Sequence, residues 1–250
     1  MHLDELVKGA HDFMRVLDET KAKIAPQEYG FYPYGTLNNV FHMDRLLTGG
    51  QRDLGRLIGS GRVADVGAAD GELAFYLERH GAKVDVIDWP LTNYNALKGV
   101  HALKEALGSP LRVFEVNLDS QFRLPESEYG LVFFFGILYH LKNPYFVLEE
   151  LAKRTDYCLL STRVARQTPD GGAQIARYPL AYLVGDTELN GDHTNYWIFS
   201  EEGLRRILQR TGWQVEAYVT VGDTVSSDPV HAEADERAFC LVKSLHRNPG

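Results

Sequence analysis

The sequence predicts an α/β fold in which a mostly parallel, seven-stranded sheet carries helices on both faces. Three observations favour this fold. From residue 61 onward, short apolar runs alternate with helical patterns, as they do in parallel sheets. The run at 131–135 is continuously apolar, which is typical of a central strand buried on both faces. The last two runs have no helical pattern between them, so they predict an antiparallel pair at the end of the sheet.

Composition limits the classes of protein to which the chain can belong. The 250 residues, 44% of them hydrophobic, suffice for one α/β domain with a large core and small additions. The net charge of −8 argues against nonspecific binding of nucleic acid, although a local basic patch for an RNA stays open. No apolar run approaches the roughly 20 residues of a membrane span, and the acidic start does not resemble a signal peptide. We therefore expect a cytoplasmic protein; its oligomeric state is not determined by the sequence.

The first 60 residues are predicted to form an N-terminal helical cap. Apolar residues at three- and four-residue spacing indicate an amphipathic helix that ends near Pro26. The aromatic segment at 29–35 contains Pro33 and two glycines, which interrupt a helix. The predicted helices of the cap span 3–25, 37–47 and 51–59.

The remaining residues, 61–250, are predicted to form the sheet domain. Its predicted strands span 62–67, 83–88, 111–116, 130–135, 156–162, 213–221 and 236–243. Its predicted helices span 71–80, 92–107, 144–153 and 200–211. The stretch 163–199 is longer than an ordinary loop and follows the fifth strand, on the side where ligands bind to such sheets. It is predicted to be a lid or a substrate-binding insertion.

A glycine-rich turn in the segment 63–72 indicates a nucleoside-binding βαβ unit. A buried strand ends at Gly67 and a helix opens after the turn, while Asp88 closes the next strand 21 positions later. A dinucleotide fingerprint would require glycine at positions 69 and 72, where this chain has Ala69 and Glu72. The spacing therefore disfavours a nicotinamide dehydrogenase.

The same turn resembles motif I of class I S-adenosylmethionine (SAM) methyltransferases. Asp65 stands two residues before the first glycine, and the last small residue is Gly71, with Ala69 in place of the usual middle glycine. The resemblance covers residues 61–243. It implies a Rossmann-like class I methyltransferase fold with strand order 3-2-1-4-5-7-6, SAM as cofactor and S-adenosylhomocysteine (SAH) as product.

The resemblance also implies which residues hold the cofactor. The acid matching Asp65 binds the amino group of the methionine moiety, and Asp88 accepts hydrogen bonds from the ribose hydroxyls. Gly67 and Gly71 let the backbone approach, and the helix N-terminus after the turn suits the methionine carboxylate. Turn capping by Asp65 and helix capping by Asp88 remain alternatives. The other predicted cofactor contacts are Ala68, Ala69, Trp89, Asn117, Leu118 and Phe135.

Within these enzymes, the chain is most similar to the tRNA wobble-uridine carboxymethyltransferase family. The family's V-F-x-x-G-x-L-Y-H run, with Pro four residues after the His, is matched at 132–144. Its members use a carboxylated SAM (carboxy-SAM), whose extra carboxylate is held by a Lys, a Tyr and an Arg. Tyr139 and Arg237 match two of these, but His42 stands at the Lys position. A neutral His binds a carboxylate less strongly than a permanent cation does. Plain methyl transfer to an O or N of a small molecule is therefore preferred, with carboxymethyl transfer to tRNA as the alternative.

Candidate catalytic residues follow from the chemistry of methyl transfer. The enzyme mainly aligns the reactants, and a general base helps when the acceptor is a hydroxyl. The candidate catalytic residues are His140 and His193, as bases, and Tyr139. His140 could instead be a structural histidine after the strand, and the loop of His193 could be a polar lid. The predicted substrate-binding residues are Tyr34, His42, Arg163, Tyr196 and Arg237. The two arginines have a structural alternative, in which they pair with acids at the sheet edge.

Two further questions are whether the chain binds a metal and whether it is catalytically active. The nine histidines show no paired ligand spacing and both cysteines lie in apolar runs, so no metal site is predicted. A binding module that keeps the cofactor pocket without turnover remains a third hypothesis.

Overall fold

The computed structural model describes residues 1–24, 29–120 and 122–247, so the predicted helix end at Pro26 lies outside the described residues. Their α-helices are α1 (Leu3–Lys23), α2 (Asn39–Leu46), α3 (Leu54–Ile58), α4 (Glu72–Arg79), α5 (Lys98–Leu107), α6 (Pro144–Arg154) and α7 (Glu201–Arg210). Their strands are β1 (Val63–Val66), β2 (Val84–Asp88), β3 (Arg112–Glu115), β4 (Tyr129–Phe135), β5 (Thr155–Ala165), β6 (Ala181–Leu183), β7 (Trp197–Ser200), β8 (Trp213–Gly222) and β9 (Glu236–Ser244).

The chain divides into two compact units, and β4 runs from the first into the second. The first unit comprises residues 1–118 and 125–133. Its strands are all parallel and lie in the order β3-β2-β1-β4, with Val63 opposite both Val84 and Leu131. This is the order predicted for the first four strands.

The second unit comprises residues 119–124 and 134–250. Here β5 pairs antiparallel with β9, which pairs antiparallel with β8, so the predicted antiparallel pair is confirmed. The C-terminal end of β5 also pairs in parallel with β7, and β7 pairs with β6. These two short strands lie in the insertion, where no strand was predicted, and they alter the strand order slightly. The predicted class, a mostly parallel sheet flanked by helices, is confirmed.

Helix α5 begins six residues later than predicted, at Lys98 instead of residue 92. The side chain of Asn93 accepts hydrogen bonds from the N–H groups of Asn95 and Leu97, which gives the backbone a local alternative to helix. Leu97 also adopts a positive φ of 65°. The prediction was wrong at this boundary because these contacts stop the helical pattern from extending toward β2.

The N-terminal helix packs on the helix that follows the glycine turn. Leu6 and Phe13 are buried on the apolar face of α1. The hydroxyl of Tyr76, in α4, donates a 2.7 Å hydrogen bond to the carbonyl of Leu6. The rings of Tyr76 and Phe13 stack with their centroids 5.1 Å apart. Because α4 starts at the turn, these contacts fix the backbone on which the turn depends.

The insertion in the second unit has a small hydrophobic core of its own. Tyr139 and Tyr182 pack against this core. The N–H of Tyr196 donates a 2.8 Å hydrogen bond to the carbonyl of Tyr139. The insertion is therefore ordered against the segment that follows β4. Its buried core residues are Ala165, Ile175, Val184, Leu189 and Ile198.

Candidate functional site

Asp65 is a buried carboxylate at the centre of the glycine-turn region. It lies in β1 and accepts a hydrogen bond from the N–H of Ala74, in the first turn of α4. Its Oδ2 atom is buried and has no hydrogen-bond partner among the described residues. Burial, with a smaller contribution from nearby Asp88, raises its pKa to about 7. A buried acid with one oxygen unsatisfied is a site for a hydrogen-bond donor, above all a cationic one.

The turn itself uses three left-handed residues. Gly67 and Gly71 have φ values of 70° and 77°. A Cβ on Gly71 would lie 2.8 Å from Cγ2 of Val100, so the position accepts only glycine without displacement. Ala69, the residue that departs from the family pattern, has a φ of 56° and donates its N–H to Asp88. Ala69 thus adopts the conformation that a glycine would take more easily.

Asp88, at the tip of β2, is a second buried carboxylate. Its oxygens accept hydrogen bonds from the N–H of Trp89 at 2.7 Å and from the amide of Asn93 at 3.0 Å. Burial raises its pKa to about 6 despite these contacts. Asp65 therefore lies near Asp88 toward the carboxyl ends of adjacent strands, and Asp88 disfavours ionisation of Asp65. A ligand that supplies a positive charge and hydroxyl donors would offset the cost of burying both carboxylates.

The predicted cofactor residues of the first unit lie at one edge of its sheet. Gly67 follows β1, Asp88 ends β2 and Asn117 follows β3, and the carboxyl ends of parallel strands share one edge. Ala68, Ala69 and Leu118 are buried. Trp89 and Asn117 are half-buried.

Two acids in the turn hold the N-terminal segment and were missed by sequence reasoning. Asp70 accepts 2.7 Å hydrogen bonds from the N–H of Tyr32 and from the amide of Asn95. Glu72 forms a 2.5 Å ion pair with Lys21 of α1. The sequence does show acids at these two motif positions. Because the cofactor pattern assigns them no role, they could have been recognised as residues with a structural one.

The second unit brings together Tyr139, His140 and Arg237. The first two lie in a 3-10 helix, Leu138–His140, directly after β4, with ring centroids 4.3 Å apart. Arg237 opens β9 and donates a 3.3 Å hydrogen bond from Nη1 to the Tyr139 hydroxyl. Its Nε donates to Asp235 at 3.2 Å. Tyr139 and Arg237 are therefore in direct contact, while their role in binding stays a prediction.

His140 is held by the insertion. Its Nδ1 lies 2.9 Å from Oγ1 of Thr194 and 3.1 Å from the carbonyl oxygen of the same residue. Burial lowers the pKa of His140, and nearby Arg237 acts in the same direction, while Asp192 opposes it. Since the ordinary value is 6.5, the imidazole is neutral at neutral pH. A neutral imidazole is the form that accepts a proton.

Arg163, predicted to bind substrate, is engaged with the protein. It is 3% exposed, and its Nη2 donates to the carbonyls of Asp228 at 3.1 Å and His231 at 2.6 Å. Its Nη1 lies 3.2 Å from Asp235. These contacts tie β5 to the loop between β8 and β9 and follow the alternative in which Arg163 stabilises the sheet edge.

The remaining predicted site residues are described within the unit to which each belongs. In the first unit, Tyr34 is 62% exposed and His42 is half-buried on α2. In the second unit, His193 is exposed, and Tyr196 is half-buried beneath the ammonium of Lys142. The ring centroid of Phe135, at the end of β4, lies 6.0 Å from that of Phe239.

Neither a metal centre nor a membrane-spanning helix is found in the part of the chain that the structure describes. No group of three His, Cys, Asp or Glu side chains there could hold a metal ion. The helices in the same part are too short or too polar to cross a bilayer.

Residues 42–218, well over half of the chain, match the family described as "Methyltransferase domain". The chain belongs to this family. The prediction of a methyltransferase is thereby confirmed, whereas the finer tRNA wobble-uridine branch is not shown. No curated protein matches the chain.

Solved structures show the same fold at low sequence identity. The N-terminal domain of EvdMO1 with SAH bound superposes with a TM-score of 0.57 at 15% identity, over 92% of this methyltransferase and 96% of that chain. The [4+2]-cyclase SpnF superposes with a TM-score of 0.59 at 12% identity, over 94% of this chain and 93% of the cyclase chain. TehB from Haemophilus influenzae superposes with a TM-score of 0.53 at 16% identity, over 77% of this chain and 60% of the TehB chain.

Proposed function

We propose that this methyltransferase transfers a methyl group from SAM to a hydroxyl of a small molecule and that His140 takes the hydroxyl proton. The observation that carries the proposal is a half-buried, neutral imidazole whose Nδ1 is engaged by Thr194. An acceptor hydroxyl must lose its proton as it is methylated, whereas a neutral amine can attack first. The presence of an oriented base therefore favours oxygen among the acceptors considered.

The residues of the first unit fit SAM. The unsatisfied Oδ2 of Asp65 suits the ammonium of the methionine moiety, and Asp88 suits the ribose hydroxyls. The turn around Gly71 opens α4, whose N-terminus suits the carboxylate. When bound, SAM supplies a methyl group on a positively charged sulfur, which leaves as the neutral thioether of SAH. The bound SAH in the structure of EvdMO1 supports this cofactor.

The role of His140 is one proton transfer. The acceptor oxygen forms its bond to the methyl carbon with a lone pair, and the carbon–sulfur bonding pair goes to sulfur. The hydroxyl proton passes to Nε2 of His140 and then to solvent. Alignment supplies most of the acceleration, and the base adds about 10²- to 10⁴-fold.

The charge distribution favours a small acceptor over tRNA. A net charge of −8 opposes a polyanion. The side chain of Arg237 is 37% exposed and its guanidinium lies beside Tyr139, so an anionic group on a small acceptor would be stabilised there. This pair supports an acidic or phenolic acceptor more than a nucleic acid.

A second candidate, carboxymethyl transfer, is favoured by the same contact. The 3.3 Å hydrogen bond between Arg237 and Tyr139 supplies two of the three groups that hold the extra carboxylate in the resembling family. The third position is His42, which lacks the permanent charge of a Lys. Plain SAM therefore stays the first choice.

Calorimetry and mass spectrometry test the proposal. The purified protein should bind SAM and SAH with micromolar dissociation constants, and a copurified nucleoside should have the mass of SAM or SAH. A ligand heavier by one carboxylate group would support the second candidate. No binding at millimolar ligand would overturn both.

A panel of small alcohols, phenols and amines with isotopically labelled methyl SAM tests the acceptor. Label should enter phenols or alcohols and not amines. Because a fold alone does not fix a reaction, as the cyclase SpnF illustrates, this turnover test also decides against a pure binding module.

A further inference from the structure

We infer that Thr194 and Asp192 are positioning residues that hold the proton of His140 on Nδ1, so that Nε2 is the basic nitrogen. The sequence suggests Asp192 only as a residue that could orient His193, and it assigns no role to Thr194. The inference rests on the proposed function for its purpose, because a fixed Nε2 lone pair is useful to a hydroxyl acceptor. Its structural content, the position of one proton, can be measured without any substrate.

The direction of the Thr194 hydroxyl is set by Asp192. Oγ1 of Thr194 lies 2.6 Å from Oδ1 of Asp192, and the Thr194 N–H donates to the same oxygen at 2.8 Å. Burial alone would raise the pKa of Asp192, but these two hydrogen bonds, together with nearby His140 and His193, lower it, so the group is a carboxylate. A carboxylate only accepts hydrogen bonds, so the Thr194 hydroxyl proton points toward Asp192.

The oriented hydroxyl determines the tautomer of the imidazole. With its proton engaged, Oγ1 of Thr194 presents only lone pairs to Nδ1 of His140 at 2.9 Å. The Thr194 carbonyl, 3.1 Å from Nδ1, is also an acceptor. An unprotonated Nδ1 would face two oxygen lone pairs without a hydrogen between them, while a protonated Nδ1 donates to both. The contacts therefore favour Nδ1–H.

Nε2 is then left with its lone pair. Among the described residues, no hydrogen bond involves this atom. The groups acting on the ring's charge are Asp192, which favours the protonated ring, and Arg237, which disfavours it. The Tyr139 ring packs against the imidazole with the ring centroids 4.3 Å apart. Asp192 thus orients the base through Thr194 and stabilises the imidazolium once Nε2 has accepted a proton.

The test uses Thr194→Val, which removes the hydroxyl, and Asp192→Asn, which removes its orienting charge. The same insertion offers a matched control, because Oγ1 of Thr168 lies 2.6 Å from Oδ1 of Asp170. Thr168→Val and Asp170→Asn delete an equivalent contact that involves no histidine.

The first readout is the ring ¹⁵N spectrum of His140, assigned by its loss in His140→Gln and recorded without substrate. The wild-type protein and both controls should show a protonated Nδ1 and a bare Nε2. Thr194→Val and Asp192→Asn should show mixed tautomers, and Thr194→Ser should restore the single form. A wild-type spectrum with the proton on Nε2 would overturn the inference by itself.

The second readout is kinetic. Thr194→Val and Asp192→Asn should lower kcat about tenfold with KM nearly unchanged. Asp192→Asn should also move the acidic limb of the pH profile to lower pH, since a charge that favours the imidazolium is lost. Wild-type tautomer and kinetics in both variants would contradict the inference.

The two proposals fail in different ways. Full activity in His140→Gln would refute the base role while leaving the measured tautomer intact. A normal base role with an unchanged tautomer in Thr194→Val would refute only the positioning role.

Discussion

The carboxylate of Asp70 accepts a 2.7 Å hydrogen bond from the backbone N–H of Tyr32. Asp70 belongs to the glycine turn between Gly67 and Gly71, and Tyr32 belongs to the aromatic segment after α1. The hydroxyl of Tyr32 in turn accepts a hydrogen bond from the N–H of Tyr94, in the stretch after β2. The turn that fits the cofactor and the N-terminal segment are therefore held by the same buried acid.

Asp70→Ala should loosen this connection. It leaves the Tyr32 N–H and one N–H of the Asn95 amide without the carboxylate that accepts from them, while the Asn95 amide keeps its hydrogen bond to the Gly30 carbonyl. The loss costs about 2 kcal/mol of unfolding free energy. Cofactor affinity should fall and the segment around Tyr32 should become sensitive to protease. Chemical denaturation and limited proteolysis measure these effects. Asp12→Ala, which removes an exposed acid paired with Arg15, is the control and should change neither.

Asp65→Asn should raise stability while it weakens cofactor binding. The folded pKa of about 7 exceeds the ordinary 3.8, so between these values the folded state binds a proton that the unfolded state lacks. The free energy of unfolding of the wild type therefore falls as pH rises from about 4 to about 7. The asparagine of the variant does not titrate, so this decrease in the free energy of unfolding is absent. At pH 8 the variant should therefore be more stable than the wild type.

The same group makes cofactor binding depend on pH. The ammonium of SAM interacts most strongly with ionised Asp65, so the affinity of the wild type should increase as pH rises through about 7. Calorimetry in buffers of different ionisation enthalpy should detect proton release on binding near pH 6.5. Asp65→Asn should bind SAM at least tenfold more weakly and release no proton there. Equal affinity of variant and wild type would contradict the assignment.

Asp85→Asn is expected to lower the free energy of unfolding, whereas Asp65→Asn raises it. Asp85 is fully buried in β2, yet hydrogen bonds from Arg112, Arg62 and Tyr129 outweigh the burial and lower its pKa. Its stabilisation is present above the ordinary value of 3.8 and is lost as pH falls through the lower folded pKa. The variant should lose about 2 kcal/mol at pH 7, measured by denaturation, because two cations lose their charged partner.

The sequence predicted seven of the nine strands that the structure describes, and the glycine turn, because these depend on local patterns. Apolar runs and glycine spacing are readable in the chain, and Asp65 and Asp88 end adjacent strands as expected. The hydrogen bonds of Asp70 could not be read, because they join groups that are 25 or more residues apart in the chain. The late start of α5 depends on local hydrogen bonds to the Asn93 side chain, which apolar periodicity does not register. The contact of His140 with Thr194 spans 54 residues and was equally hidden.

Ala69→Gly should stabilise the protein. Ala69 has a φ of 56°, a left-handed conformation that costs an L-residue about 1 kcal/mol and glycine almost nothing. The gain is reduced by the greater freedom of glycine in the unfolded chain, so an increase of about 0.5 kcal/mol is expected. Ala68→Gly, one residue earlier and not in that conformation, should destabilise. Thermal unfolding of the two variants distinguishes this explanation from one in which alanine is required for packing.

The pH dependence of turnover tests His140 directly. Its pKa lies below the ordinary 6.5, mainly because burial disfavours the imidazolium. If Nε2 is the base, kcat/KM rises with pH through this lowered pKa and is flat near neutrality, since the ring is already unprotonated there. His140→Gln should reduce kcat about 10²- to 10⁴-fold and abolish the acidic limb while SAH binding is retained. His193→Gln, which removes the exposed neighbour, should keep both the rate and the limb. If the acidic limb were instead lost in His193→Gln and kept in His140→Gln, the base would be the exposed histidine. The contact between His140 and Thr194 would then serve only to hold the insertion in place.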